Sequence, residues 1–240
     1  MEIRIFENAN ELALAAADIF ATQIKKNPAS VLGLATGASP VPTYNCLIEM
    51  YKAGEISFAD IRTFNLDEYC DLPKDDKNSY YTFMHENLFN AVDIKEENVH
   101  ILDGNAEDAE KEAADFDAAI AAAGGIDIQL LGIGNNGHIG FNEPADEFTT
   151  GTFKVKLTDS TLQANSRYFD ENPMPHYALT MGVGSIMAAK KIVLIATGPA
   201  KAQAIHDTVK GEVTAQVPAS ILQNHADCVL LLDKAAASLL

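Results

Sequence analysis

The chain has 240 residues, a hydrophobic content of 48%, a charged content of 21% and a formal net charge of −17. That length suits one large domain that buries most of its surface without staples, and the hydrophobic content excludes wholesale disorder. The strongly acidic balance argues against nucleic acid or an anionic membrane as partner, because both require basic surface. The three cysteines, Cys46, Cys70 and Cys228, are scattered and lack CxxC spacing. They read as incidental thiols of a reducing compartment. The first twenty residues carry early acidic groups and no basic segment ahead of an apolar core, and no apolar run reaches membrane-spanning length. A cytoplasmic protein is expected.

In chain order, Leu12, Ala16, Ile19, Phe20 and Ile24 recur at helical spacing after Asn10, the expected N-cap, and Asn27-Pro28 ends the helix. The run from Val31 to Ala35 reads as a strand covered on both faces. It feeds Thr36-Gly37-Ala38-Ser39-Pro40, where Ser39 is expected to cap a helix, Pro40 to open it and Gly54 to end it. Strand 61–66, helix 79–89, an Ala-rich helix at 106–123 and strand 126–131 follow. After them come strand 177–181, a helical turn near 185–189, strand 192–196, a helix from Gly198-Pro199 to Val209 and strand 228–232. Strands alternating with helices predict an α/β fold with a mainly parallel sheet, in which ligands bind at the carboxyl ends of the strands. Without a linker or internal repeat, residues 1–240 are expected to form a single domain.

Three segments could carry chemistry. At residues 35–40, small residues at a helix N-terminus could hold a phosphate through backbone N–H groups, although an ordinary tight turn would look the same. No Gly-Lys-Ser/Thr follows, so this is not a Walker A loop. In Phe64-Asn65-Leu66-Asp67-Glu68-Tyr69, two adjacent carboxylates sit where a buried strand ends. Neighbouring side chains of an extended chain point opposite ways, so only one should enter a pocket, where it could act as a general base; a solvated acidic turn is the alternative. The third segment, Gly132-Ile133-Gly134-Asn135-Asn136-Gly137, fits the G-x-G-x-x-G pattern. It then continues His138-Ile139-Gly140-Phe141-Asn142-Glu143-Pro144, and Gly140 and Pro144 oppose the helix that a dinucleotide site would need. What it offers instead is His138 with Asn136 and Glu143 close by, a set able to relay protons near neutral pH. One His and one Glu are too few ligands for a metal site. Arg167, in an irregular stretch, and Lys201, near a helix start where a bound anion would explain a cation, complete the set. Either could equally be an ordinary surface charge.

Taken together, LGLATGASP (32–40), FNLDEY (64–69), SYYTFMHENLF (79–89), LGIGNNGHIGFNEP (131–144), ANSRYF (164–169) and ALTMGVGSIMAAKKI (178–192) resemble the glucosamine-6-phosphate deaminase family. This group also contains the 6-phosphogluconolactonases. The resemblance spans nearly the whole chain, with DEY and FNEP as its specific parts. It implies a Rossmann-like, mainly parallel sheet with helices on both faces. The implied reaction is conversion of glucosamine 6-phosphate and water to fructose 6-phosphate and ammonia, with neither metal nor organic cofactor. It further implies that His138 opens the sugar ring, that Asn136 and Glu143 position and tune it, and that Asp67 moves the C2 proton to C1. Gly37, Ala38, Ser39, Arg167 and Lys201 match the phosphate-holding positions. Longer members have Asp at position 136, whereas short members share the Asn. The longer members are also hexamers activated by N-acetylglucosamine 6-phosphate through basic residues after FNEP and a C-terminal extension. Phe153 and Val155 occupy those basic positions and the chain ends at Leu240, so a monomer or small homo-oligomer without such activation is expected. The rival readings are a 6-phosphogluconolactonase, which needs no C2 proton acceptor, and a non-catalytic sugar-phosphate sensor, which could dispense with Asp67 or His138.

Overall fold

The computed structural model describes residues 1–166, 169 and 173–240. Seven parallel strands form the main sheet: β1 (Glu2–Phe6), β2 (Val31–Leu34), β3 (Arg62–Asn65), β5 (Val99–His100), β6 (Ile128–Leu131), β9 (Lys191–Ala196) and β10 (Cys228–Asp233). Their order is β1-β10-β9-β6-β2-β3-β5. A second sheet, β4 (Asp67–Tyr69), β8 (Tyr177–Thr180) and β7 (Phe153–Lys156), is antiparallel, in the order β4-β8-β7. The helices are α1 (Ala9–Lys26), α2 (Val41–Lys52), α3 (Tyr80–Asn87), α4 (Ala109–Ala122), α5 (Asp159–Asn165), α6 (Val183–Met187) and α7 (Ala202–Lys210). Every residue of β2 and β6 is buried, as the continuous apolar runs require of central parallel strands with both faces covered.

Most elements lie where the sequence puts them, and the exceptions have local causes. Asn8, not Asn10, caps α1: its side chain accepts the N–H groups of Asn10 and Glu11. Ser39 caps nothing. Helix α2 begins at Val41 with Pro40 in the cap position and no side-chain cap, because Pro42 already fills an early position whose N–H would be unpaired. Strand β8 does not join the parallel sheet but runs antiparallel to β4, with Asp67 opposite Thr180. Strands β1, β4, β5 and β7 have no counterpart among the predicted elements.

Strand β2 is followed along the chain by β3 on one side of it, while β6, β9 and β10 build outward on the other. The order reverses between β2 and β6, so the loops leaving these strands diverge and open a crevice at their carboxyl ends. The small sheet closes one side of it, anchored where Met181 N–H donates to Leu66 C=O and Leu66 N–H to Leu34 C=O.

Candidate active site

At that crevice lies a cavity of about 730 Å³. It is lined by the loop after β2 (residues 35–39), by Leu66 and Asp67 after β3, by the loop after β6 (132–136, 138, 140 and 141), and by Ala200 and Lys201 after β9. Four separate segments of sequence therefore meet at one switch point. Tyr80 and Thr161 complete the wall.

Asp67 is 6% exposed and lines the cavity, while Glu68 turns the other way, as the alternation of an extended chain demands. Glu68 accepts N–H bonds from Tyr69 (2.8 Å), Tyr80 (2.9 Å) and Tyr81 (2.9 Å), so it secures β4 to the start of α3. Burial pushes the Asp67 carboxyl up to about 8, with the neighbouring Glu68 charge adding to the rise. Burial also raises Glu68, against the three N–H groups that favour its charged form. The two adjacent acids thus differ in kind: one is a buried carboxyl facing a cavity, the other a structural anchor.

The loop after β6 is a compact turn and not the start of a helix. Gly137 N–H donates to Gly134 C=O, Gly134 N–H to His138 C=O and Asn142 N–H to Ile139 C=O. Gly137 and Gly140 hold positive φ values of 84° and 56°, backbone that glycine adopts without strain. Gly134 is needed for space: a Cβ there would lie 2.3 Å from the His138 ring. Asn142 ties the loop down from within, donating to the carbonyls of Ile139 and Met181 (2.9 Å each) and accepting from Thr149. In the segment Phe-Asn-Glu-Pro the asparagine is therefore a buried strut, and the glutamate is the residue that reaches the histidine.

His138 Nδ1 lies 3.3 Å from Glu143 Oε2, an ion-pair distance whose angle falls outside good hydrogen-bond geometry. Asn136 Nδ2 donates to the same oxygen at 2.7 Å, and Asn136 Oδ1 accepts the His138 backbone N–H at 3.2 Å. Asn136 thus braces both members of the pair without carrying charge. Burial raises the Glu143 carboxyl, but His138 and the bonds from Thr161 and Asn136 outweigh it and bring it down to about 2. Glu143 is therefore the fixed anion beside the imidazole.

In the loop after β2, Gly37 and Ala38 are exposed and Ser39 is half-buried, with its hydroxyl not spent on a cap. Lys201 lies half-buried where the 3-10 turn Pro199–Lys201 meets α7, and burial lowers its ammonium. Among the described residues, no carboxylate lies within ion-pair range of it. Arg167 lies outside the described residues. Among the described residues, no group of three or more His, Cys, Asp or Glu side chains is placed to hold a metal ion.

All the sequence-predicted site residues within the described range thus meet at this cavity, Glu143 through its contacts with His138 and Asn136. Sequence reasoning missed Tyr80 and Thr161. Tyr80 lies in a segment already quoted for its resemblance, and that was the available signal; Thr161 lies in none.

Comparison with known proteins agrees with this geometry. The glucosamine-6-phosphate isomerase/6-phosphogluconolactonase family matches residues 7–231. The chain belongs to this family. It is 52% identical to a glucosamine-6-phosphate deaminase of Clostridium botulinum (strain Alaska E43 / Type E3), an alignment covering all of this chain and 97% of the relative. It is 51% identical to that of Alkaliphilus oremlandii (strain OhILAs), with both chains covered completely. Among solved structures, a monomeric glucosamine-6-phosphate deaminase superposes with a TM-score of 0.96 at 43% identity, each chain covered completely. The 6-phosphogluconolactonase from Trypanosoma cruzi shares the fold at 20% identity and a TM-score of 0.77, covering 99% of this chain and 96% of that one. Among the described residues, no helix is long and apolar enough to cross a membrane.

Proposed function

We propose that this chain is a cofactor-independent, cytoplasmic glucosamine-6-phosphate deaminase, with residues 1–240 as one catalytic domain. It releases ammonia and fructose 6-phosphate. The observation that carries this reading is the pairing, on one cavity, of a buried proton acceptor (Asp67) with an imidazole held against a carboxylate (His138 and Glu143).

The substrate's phosphate is an anion and lies among the backbone N–H groups of Gly37 and Ala38, the Ser39 hydroxyl and the Lys201 ammonium; Arg167, which the resemblance adds to this set, lies outside the described residues. His138 then moves the proton between the ring oxygen and the anomeric hydroxyl, and the pyranose opens to the aldehyde. Glu143 stabilises the imidazolium that forms on the way; Asn136, being neutral, can only orient it. Ionised Asp67 removes the proton from C2, leaving an enolamine, and returns it to C1. The product is an imine at C2, which water converts to the ketone with loss of ammonia. A lactone hydrolysis would leave Asp67 without a task, which favours the deaminase over the lactonase reading. A sensor would leave both Asp67 and the His138–Glu143 pair idle.

The decisive assay follows ammonia and fructose 6-phosphate from glucosamine 6-phosphate, beside hydrolysis of 6-phosphogluconolactone. Stoichiometric ammonia and ketose are expected. Turnover of the lactone alone, or of neither compound, would sink the proposal.

A further inference from the structure

A carboxylate that steadies an imidazole must itself be steadied, because the terminal torsion of a glutamate is broad and lets its oxygens exchange places. In Glu143, Oε2 is committed to Asn136 and His138. The other oxygen, Oε1, accepts a hydrogen bond from the Thr161 hydroxyl, with the Thr158 hydroxyl at 3.4 Å from it. Thr161 is 6% exposed and lines the cavity. Its own place is fixed by the first turn of α5, where its N–H donates to the Thr158 hydroxyl that caps the helix (3.3 Å). A β-branched side chain on a helix has few rotamers, so the hydroxyl approaches Glu143 from one direction.

We propose that Thr161 is a positioning residue for the ring-opening step: its hydroxyl holds Glu143 Oε1, so that Oε2 stays presented to His138 and Asn136. This inference rests on the reading of His138 given above. The bond links α5 to a loop that follows β6, so the orientation of the imidazole depends on a helical residue outside the sequence motifs. Among the described residues, the titratable group facing the Glu143 carboxylate is His138; Asn136, Thr158 and Thr161 are its neutral neighbours. Removing the hydroxyl frees the carboxylate to turn and withdraws a donor that favours its charged form.

Two variants of the full chain test the idea: Thr161→Val, which keeps the shape and loses the hydroxyl, and Thr161→Ser, which keeps the hydroxyl. A hydrogen bond to a charged group is worth about a 10- to 100-fold effect, so the Val variant should lose about that much kcat with KM nearly unchanged. In the substrate-free protein, the carboxyl titration of Glu143, followed by carbon-13 NMR and assigned with Glu143→Gln, should move up from its value of about 2 in the Val variant. The Ser variant should restore both. An unmoved Glu143 titration with full kcat in the Val variant would overturn the proposal, and so would a rise in KM alone, which marks a substrate contact. An inactive wild-type chain would instead overturn the functional reading and this role with it, so the two failures are distinguishable.

Discussion

At the residue scale, the main conflict is at Asp67. A base must be ionised to take a proton, yet this carboxyl is buried and held up to about 8. The rise in kcat/KM with pH should therefore extend to about 8, well above the range of an ordinary carboxylate. The same shift costs stability. In the folded chain Asp67 favours its protonated form, so its contribution is fully present below the ordinary carboxylate range and is lost as pH rises through about 8. Asp67→Asn should lose on the order of 10²–10⁴ in kcat. Its Tm relative to the parent should rise between pH 4 and pH 8 and level off above. A variant with normal turnover, or with a Tm difference independent of pH, would count against this account. Gly134 makes the complementary point. Its missing side chain is the space in which the His138 ring sits, so Gly134→Ala should displace the imidazole. A misplacement of about 1 Å is worth about 10² in rate, and kcat should fall accordingly, with KM little changed. Retention of full kcat would show that the ring can shift without cost.

At the scale of elements, the loop after β2, proposed above to hold the phosphate, depends on a tyrosine that never reaches the cavity. Tyr44 of α2 is fully buried; its hydroxyl donates to Ala35 C=O at 2.5 Å and accepts Ala35 N–H at 3.2 Å. That single phenol satisfies both backbone groups where β2 ends and residues 36–39 begin. Tyr44→Phe should leave both unpaired at a cost of about 1–3 kcal/mol, measurable by denaturant unfolding. KM for the sugar phosphate should rise more than kcat falls, and an unchanged KM would separate this bond from binding. The elements also show where sequence reasoning stops. The inner strands β2, β3, β6, β9 and β10 were legible because buried parallel strands read as continuous apolar runs, whereas the edge strands β1 and β5 were not. Of the small sheet only β8 was legible, because β4 has three residues and pairs Asp67 with Thr180, more than a hundred positions away. Nothing local announces such a partner. Ser39 and Pro40 look like a helix start by composition, but the chain spends one more residue on the turn and leaves the serine beside the cavity.

For the whole molecule, a net charge of −17 surrounds a cavity whose wall carries Lys201, so anion binding depends on a few groups acting against the general field. Strand β7 bears on control. Phe153 and Val155 are half-buried on it, and Val155 packs against the cluster of Tyr69, Leu72, Phe141, Leu157 and Ala178. Apolar side chains at those positions give an anionic activator no charge to bind, and without differential binding there is no coupling. The rate should follow a hyperbola in glucosamine 6-phosphate, unchanged by N-acetylglucosamine 6-phosphate, and sedimentation should give a monomer or small oligomer. A sigmoidal curve made hyperbolic by that ligand would refute this.

The sequence by itself determined the alternation of strands and helices, the segments with chemistry and the rejection of a dinucleotide site, because apolar period, Gly and Pro act locally. It also required that only one of Asp67 and Glu68 face a pocket, since neighbours on an extended chain must diverge; the fold shows that one to be Asp67. Only the tertiary structure decided that Asn142 is a strut, that Gly134 makes room for the imidazole and that Thr161 holds Glu143. The first and last of those relations join residues from different elements and the second depends on how one loop folds back on itself; their physical cause is packing distance, which no local pattern encodes.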